Sequence, residues 1–147
     1  MSLSSRSAVA IHALTMLARW ERSLTSAEIA ESLASNPVLV RRILGSLRDA
    51  GLVLSSEGRG GGWSLARGPR EITLHDAHIA VESEQVLARH PHPPNSECEV
   101  GRHIQAILEV EFQAAEQAMR ERLGRTTIDD LVSQVLIAER ALPSRRH

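Results

Sequence analysis

Apolar residues recur every three to four positions along most of this chain, and capping residues or glycines separate the runs. Val9, Ala13, Leu17 and Trp20 fall on one stripe with Leu14 beside it, and Ser4 or Ser5 can cap the helix they predict. Thr25 and Glu28 have capping-box spacing. The threonine accepts from the backbone and the glutamate reaches back, which starts a short helix over about 26–33. Asn36 is a favourable N-cap, and Pro37 follows at the first helical position, where its missing N–H is harmless. The face buried by this third helix is Leu39 or Val40, Ile43, Leu44 and Leu47, and Gly51 ends it.

The period then shortens. Leu52, Val53 and Leu54 read as one strand and Trp63, Ser64 and Leu65 as its partner, with GRGGG as the loop of a hairpin that Gly68-Pro69 stops. Thr73 and Asp76 form a second capping box for a helix to about Glu84. Pro91, Pro93 and Pro94 make 88–99 a loop. The longest helical pattern covers 100–123, with Ile104, Leu108, Phe112, Ala115, Met119 and Leu123 on one stripe and Gly124 as its stop. Thr127 and Asp130 cap a last helix to about Ala141, and Pro143 with the basic tail beyond it is expected to fray.

No internal repeat is present. The order of three helices, a hairpin, a short helix and a long one predicts a mainly α fold with a small β-hairpin wing, a winged helix-turn-helix. The division expected is a winged domain at 1–84, a Pro/His-rich loop at 85–99, and a long helix plus C-terminal helix at 100–147.

Composition fits this picture. Only Trp20, Trp63 and Phe112 are aromatic, so Leu, Ile, Val and Ala must build the core of the 147-residue chain. The net charge of -1 hides an asymmetry, because residues 1–70 carry a net +4 and residues 71–147 a net -5. A basic front half suits a polyanion, and all 17 basic residues are arginines, the side chain suited to bidentate contacts with phosphate or guanine. The apolar run from Ala8 to Trp20 contains His12, lacks a cleavage pattern and is too short to span a membrane. The lone Cys98 excludes an intrachain disulfide framework and agrees with a reducing, cytoplasmic setting.

A helix of the third kind fits the major groove of DNA and offers its first residues to base edges. Asn36 can pair with adenine, Arg41 and Arg42 with guanine, and Val38 and Leu39 can touch a thymine methyl. Ser26 opens the preceding helix, whose backbone N–H groups favour a phosphate. At the wing, glycines such as Gly60 allow close approach to the sugar-phosphate wall, and Arg59 can enter the minor groove or clamp a phosphate. The plainer reading is a flexible hairpin loop with a solvated arginine.

The segments AEIAESL, VRRILGSLRDAGLV and GRGGGWSLARGPREITLHDAHIAVE resemble the Rrf2 family of bacterial transcription regulators, and the later TTIDDL resembles that family's last helix. The resemblance implies a homodimer on a pseudo-palindromic site in double-stranded DNA, with the long helix as the dimerisation element and repression as the expected outcome. The family's wing usually reads R-G-x-G-G-G before its aromatic, whereas Glu57 stands here where an arginine is expected. Some members hold an iron–sulfur cluster through three cysteines before and into the long helix. With Cys98 alone in that region, no cluster and no cofactor are expected.

Cys98 remains a candidate redox sensor, since the start of a helix lowers a thiol pKa. His75, His78, His90, His92 and His103 with Cys98 would suit a metal-responsive regulator, although their spacing matches no standard site and no metal ligand is assigned. No nucleophile motif, phosphate loop or metal triad marks an enzyme. The rival from another class is a winged helix used for protein contacts without DNA. The sequence names no signal ligand.

Overall fold

The computed structural model describes residues 4–144, so the end of the basic tail, at 145–147, lies outside the described residues. The elements are α1 (Arg6–Trp20), α2 (Ser26–Leu33), α3 (Pro37–Asp49), β1 (Val53–Ser56), β2 (Gly62–Leu65), a 3-10 turn (Pro69–Glu71), α4 (Leu74–Val81), α5 (Glu99–Leu123) and α6 (Ile128–Arg140).

Caps explain most of the boundaries. The Asn36 side chain accepts from Val38 N–H, and Thr73 with Asp76 and Thr127 with Asp130 form reciprocal boxes. The Thr25 box closes on one side only. Thr25 accepts from Glu28 N–H, but the Glu28 carboxylate is drawn to Arg22 at 2.9 Å, a charge-assisted bond that outcompetes the backbone. At α1, Ser5 is the N-cap residue without a side-chain bond, and Ser4 Oγ accepts from Arg6 N–H instead. β1 begins and ends later than alternation suggests, β2 begins one residue earlier at Gly62 and ends at Leu65 as expected, and α4 stops at Val81 because Glu82 turns extended.

α1 is the axis of the core. Val9, Ala10, Ala13, Leu14, Met16 and Leu17 are buried, a wider face than the expected stripe, because α3, α4 and α6 all pack on this one helix. Trp20 does not join them; it is 51% exposed at the helix end, where Glu21 takes a left-handed conformation and turns the chain away. α3 buries Val40, Ile43, Leu44 and Leu47, so Val40 and not Leu39 is the inward residue of that pair.

The C-terminal helix is built into the same core. Ile128 N–H donates to Ile72 O and Leu74 N–H to Thr126 O, each at 2.9 Å, so the two capping boxes stand back to back across a Thr73–Thr127 bridge. Ile72 and Ile128 are both fully buried there. α5 behaves differently. Its 25 residues extend about 37 Å at the helical rise. The expected stripe at Ile104, Leu108, Phe112, Met119 and Leu123 is half-buried and Ala115 is exposed, while Val100, Ile107 and Val110 face solvent on another side.

The loop before α5 folds onto it. Buried Glu116 accepts from Val86 N–H at 2.7 Å and Leu87 N–H at 3.2 Å, and Arg89 bridges Glu116 to Glu109 while lying 5.3 Å from the Phe112 ring centroid. The far end of the loop is fixed by Arg102, which donates to Ser96 O, and by Gly101, where a Cβ would come within 2.3 Å of Asn95 O.

Candidate nucleic-acid interface

α3 has one face in the core and one in solvent. At 100° per residue, Val38, Arg41, Arg42, Gly45 and Asp49 share the outer face, opposite Ile43, Leu44 and Leu47. Val38 is 47% exposed, which leaves its side chain open to an apolar contact such as a thymine methyl. Arg41 and Arg42 are exposed and take part in no ion pair among the described residues. Leu39 is half-buried against the core, so it lies at the edge of this face. Asn36 sits at the helix start with Oδ1 accepting from Val38 N–H at 2.8 Å, which leaves its amide NH2 directed elsewhere.

Gly45 was not singled out by sequence reasoning, although a glycine inside a helix is itself a signal. A Cβ there would meet only Arg48 Nη2, at 3.9 Å, so nothing within the chain demands a bare backbone. The glycine keeps the middle of the outer face flat between Arg41 and Asp49.

α2 presents its first turn beside α3. Ser26 is the first helical residue, and its backbone N–H is among those a helix leaves without an internal partner. The acid of that turn is ion-paired with Arg22, whose hydrogen bond holds the Glu28 carboxyl below its ordinary range and keeps it ionised.

The wing is tied to both helices. Trp63 exchanges two backbone hydrogen bonds with Leu24, at 2.8 and 3.0 Å, an isolated antiparallel bridge that ties β2 to the residue pair just before α2. Gly62 permits this approach: its φ is +143, and a Cβ there would fall 2.6 Å from Leu24 O. The Trp63 ring carries the Arg48 guanidinium 5.9 Å from its centroid, linking the end of α3 to β2. At the tip, Arg59 is exposed and Gly60 adopts φ +73, a conformation that disfavours other residues. The glycines therefore shape a specific turn, which is a stronger constraint than the flexibility expected from composition. Glu57 lies exposed at the same tip.

Val38, Arg41, Arg42, Ser26 and Arg59 thus lie on elements that one hairpin and one helix pair hold together, and Cys98 stands apart at the start of α5. The Cys98 thiol is exposed, and backbone N–H groups of Gly101 and Val100 lower its pKa from the ordinary value. The histidines are not gathered with it: among the described residues no group of three or more His, Cys, Asp or Glu side chains could hold a metal ion. His78 instead bonds Ser7 Oγ through Nδ1 at 2.7 Å and joins α4 to α1. Among the described residues no helix is long and apolar enough to cross a membrane.

Comparison with known proteins agrees with this geometry. The model of the Rrf2 family, described as iron-dependent transcriptional regulators, matches residues 3–134. The Bacillus subtilis protein YwnA, named as an HTH-type transcriptional regulator, is 35% identical over 134 residues, covering 90% of this chain and 98% of YwnA. Among solved structures, IscR of T. potens superposes with a TM-score of 0.70 at 22% identity, covering 99% of this chain and 94% of that one. CymR, the global cysteine regulator of B. subtilis, gives a TM-score of 0.68 at 23% identity over 91% and 98% of the two chains. The last two likenesses concern the fold. The iron in the family description finds no matching donor set here, since Cys98 is the sole cysteine and no three candidate ligands converge among the described residues.

Proposed function

The chain belongs to the Rrf2 family of helix-turn-helix transcriptional regulators and is not an enzyme, and from that premise we propose that it is a sequence-specific repressor that binds double-stranded DNA as a homodimer. The observation that carries this reading is the outer face of α3. Val38, Arg41 and Arg42 are exposed there while the opposite face is fully buried, so the helix is rigidly held and its exposed groups match major-groove chemistry. Asn36 and Leu39 flank that face, Ser26 offers a backbone N–H to a phosphate, and Arg59 with Gly60 reaches the adjacent backbone or minor groove.

Homodimer formation is supported by α5, whose Val100, Ile107 and Val110 are left uncovered in one chain. A two-fold pair would present two α3 helices to half-sites about 34 Å apart, one turn of DNA, which calls for a pseudo-palindrome. Selection of bound duplexes from a random library tests the whole reading. Recovery of an inverted repeat, with affinity falling steeply as salt rises, supports it; binding without preference or none at moderate salt defeats it.

A second element of the proposal is redox sensing by Cys98. Its exposure and its backbone donors favour the thiolate, the form that oxidants attack. Peroxide titration of operator binding, compared between the native chain and Cys98→Ser, is the test. A native response that the variant lacks supports the sensor, and equal responses remove it.

A further inference from the structure

Acids near the candidate interface are paired, with one exception. Glu28, in the first turn of α2, lies 2.9 Å from Arg22, and Asp49, the sole acid of α3, lies 3.6 Å from Arg48. Glu57 at the wing is exposed and in no ion pair among the described residues, although Arg59 is only two positions away. The turn that separates these two is specific. Gly61 N–H donates to Gly58 O at 3.0 Å, which puts Arg59 at the apex and Glu57 just beyond the end of β1 at Ser56. A Cβ at Gly61 would lie 2.6 Å from Ser56 O and 2.8 Å from Gly58 O, so the tip is tightly closed. The wing therefore presents a cation and an anion side by side, each free of the other.

The minor groove of DNA offers these charges different partners. A·T and T·A pairs show only the acceptors adenine N3 and thymine O2, and a G·C pair adds one donor, the guanine N2 amino group. An arginine gains at every acceptor. A carboxylate is repelled by all of them, and by the phosphates on either side, and gains only at guanine N2. We propose that Glu57 accepts a hydrogen bond from a guanine N2 amino group, so that the wing selects a G·C pair beside the acceptors that Arg59 meets. This inference rests on the DNA-binding reading and assigns a base contact within it. Two residues of chain cover at most about 7 Å, and base pairs rise about 3.4 Å each. The selected pair therefore lies within about two steps of the one under Arg59. The carboxylate trades affinity for discrimination: an arginine in its place binds DNA more tightly as a whole and loses the preference for guanine.

The test uses the full chain and the duplex it selects from a random library. Each guanine of that duplex is exchanged in turn for inosine, which lacks the N2 amino group and keeps the O6 and N7 acceptors of the major groove. Affinities of the native chain, Glu57→Ala and Glu57→Gln are compared by fluorescence anisotropy at one salt concentration. The hairpin register ends at Ser56 with Gly62, before the tip, so both variants are expected to fold. At one guanine in each half-site, inosine should weaken native binding about 10-fold. Glu57→Ala should bind the guanine and inosine duplexes alike. Glu57→Gln, whose amide both accepts and donates, should bring the ratio close to one while binding both. Inosine tolerated by the native chain at every guanine overturns the inference, and so does a loss that is equal in the native chain and Glu57→Ala. A Glu57-dependent preference for G·C over A·T that survives inosine would put the carboxylate on cytosine N4 in the major groove, and overturns it as well. A native chain that selects no duplex would instead defeat the DNA-binding reading itself.

Discussion

Arg89 and Glu116 are 27 residues apart in sequence, yet Arg89 Nη2 donates to Glu116 Oε1 at 2.8 Å and Nη1 to Oε2 at 3.0 Å. The bidentate pair and the two backbone donors at Val86 and Leu87 pin the start of the loop to the middle of α5. Together they lower the Glu116 carboxyl from 4.5 to about 2, with Arg89 as the largest cause. A carboxyl lowered on folding stabilises fully above its unfolded pKa, and that contribution is lost as pH falls from 4.5 toward about 2. Amide hydrogen exchange should therefore quicken at Val86 and Leu87 across this window, after correction for the intrinsic pH dependence. In Glu116→Gln the same two amides should exchange faster at neutral pH. If neither acid nor the substitution changes them, the tether does not exist in solution.

The outer face of α3 leads to a second expectation. Arg41 and Arg42 are exposed and unpaired among the described residues, so their loss should leave thermal stability nearly unchanged. Arg41→Ala or Arg42→Ala should weaken specific binding by about 1–3 kcal/mol and relax preference at one base position. Competition anisotropy against operator and scrambled duplexes measures both effects. Undiminished affinity in both variants would mean that another surface reads the bases.

Gly45 separates stability from binding. A glycine in a helix interior costs about 0.5–1 kcal/mol relative to alanine, and an added Cβ at Gly45 meets nothing closer than 3.9 Å. Gly45→Ala should raise the melting temperature of the free protein and weaken its binding to the operator. A variant that is more stable and binds equally well would show that the backbone at this position does not approach DNA.

Much of the fold was legible because local chemistry fixed it. Asn36-Pro37, Thr73 with Asp76 and Thr127 with Asp130 each state a helix start in two or three residues, and the structure follows them. What was not legible depends on distance along the chain. Glu116 is one of several glutamates in a helix, and nothing near it in sequence announces that Arg89 will bury it. Ile128 reads only as the first residue of the last helix, and nothing beside it in sequence announces the pairing with Ile72 that draws α6 into the core. Trp20 follows the apolar period of α1 and still faces solvent, since periodicity cannot report where neighbouring helices stop. At the candidate interface the basic and apolar residues were readable from pattern. The coupling of wing to helices was not, because the Leu24–Trp63 bridge and the Arg48–Trp63 contact join three segments that share no motif.

The wing carries a contest of charge that can be measured directly. Arg59 and Glu57 are both exposed at its tip, one attracting and one repelling a phosphate. If Arg59 neutralises a phosphate, Arg59→Ala should weaken binding similarly across sequences and make the slope of log affinity against log salt shallower by about 1. Glu57→Arg should act in the opposite sense, tightening binding and steepening the slope, because it replaces a repelled group with an attracted one at the same turn. Neither change should disturb the hairpin, whose register from Val53 with Leu65 to Ser56 with Gly62 ends before the tip. A salt slope indifferent to both substitutions would place the wing away from the duplex and leave Arg59 as a solvated residue of a tight turn.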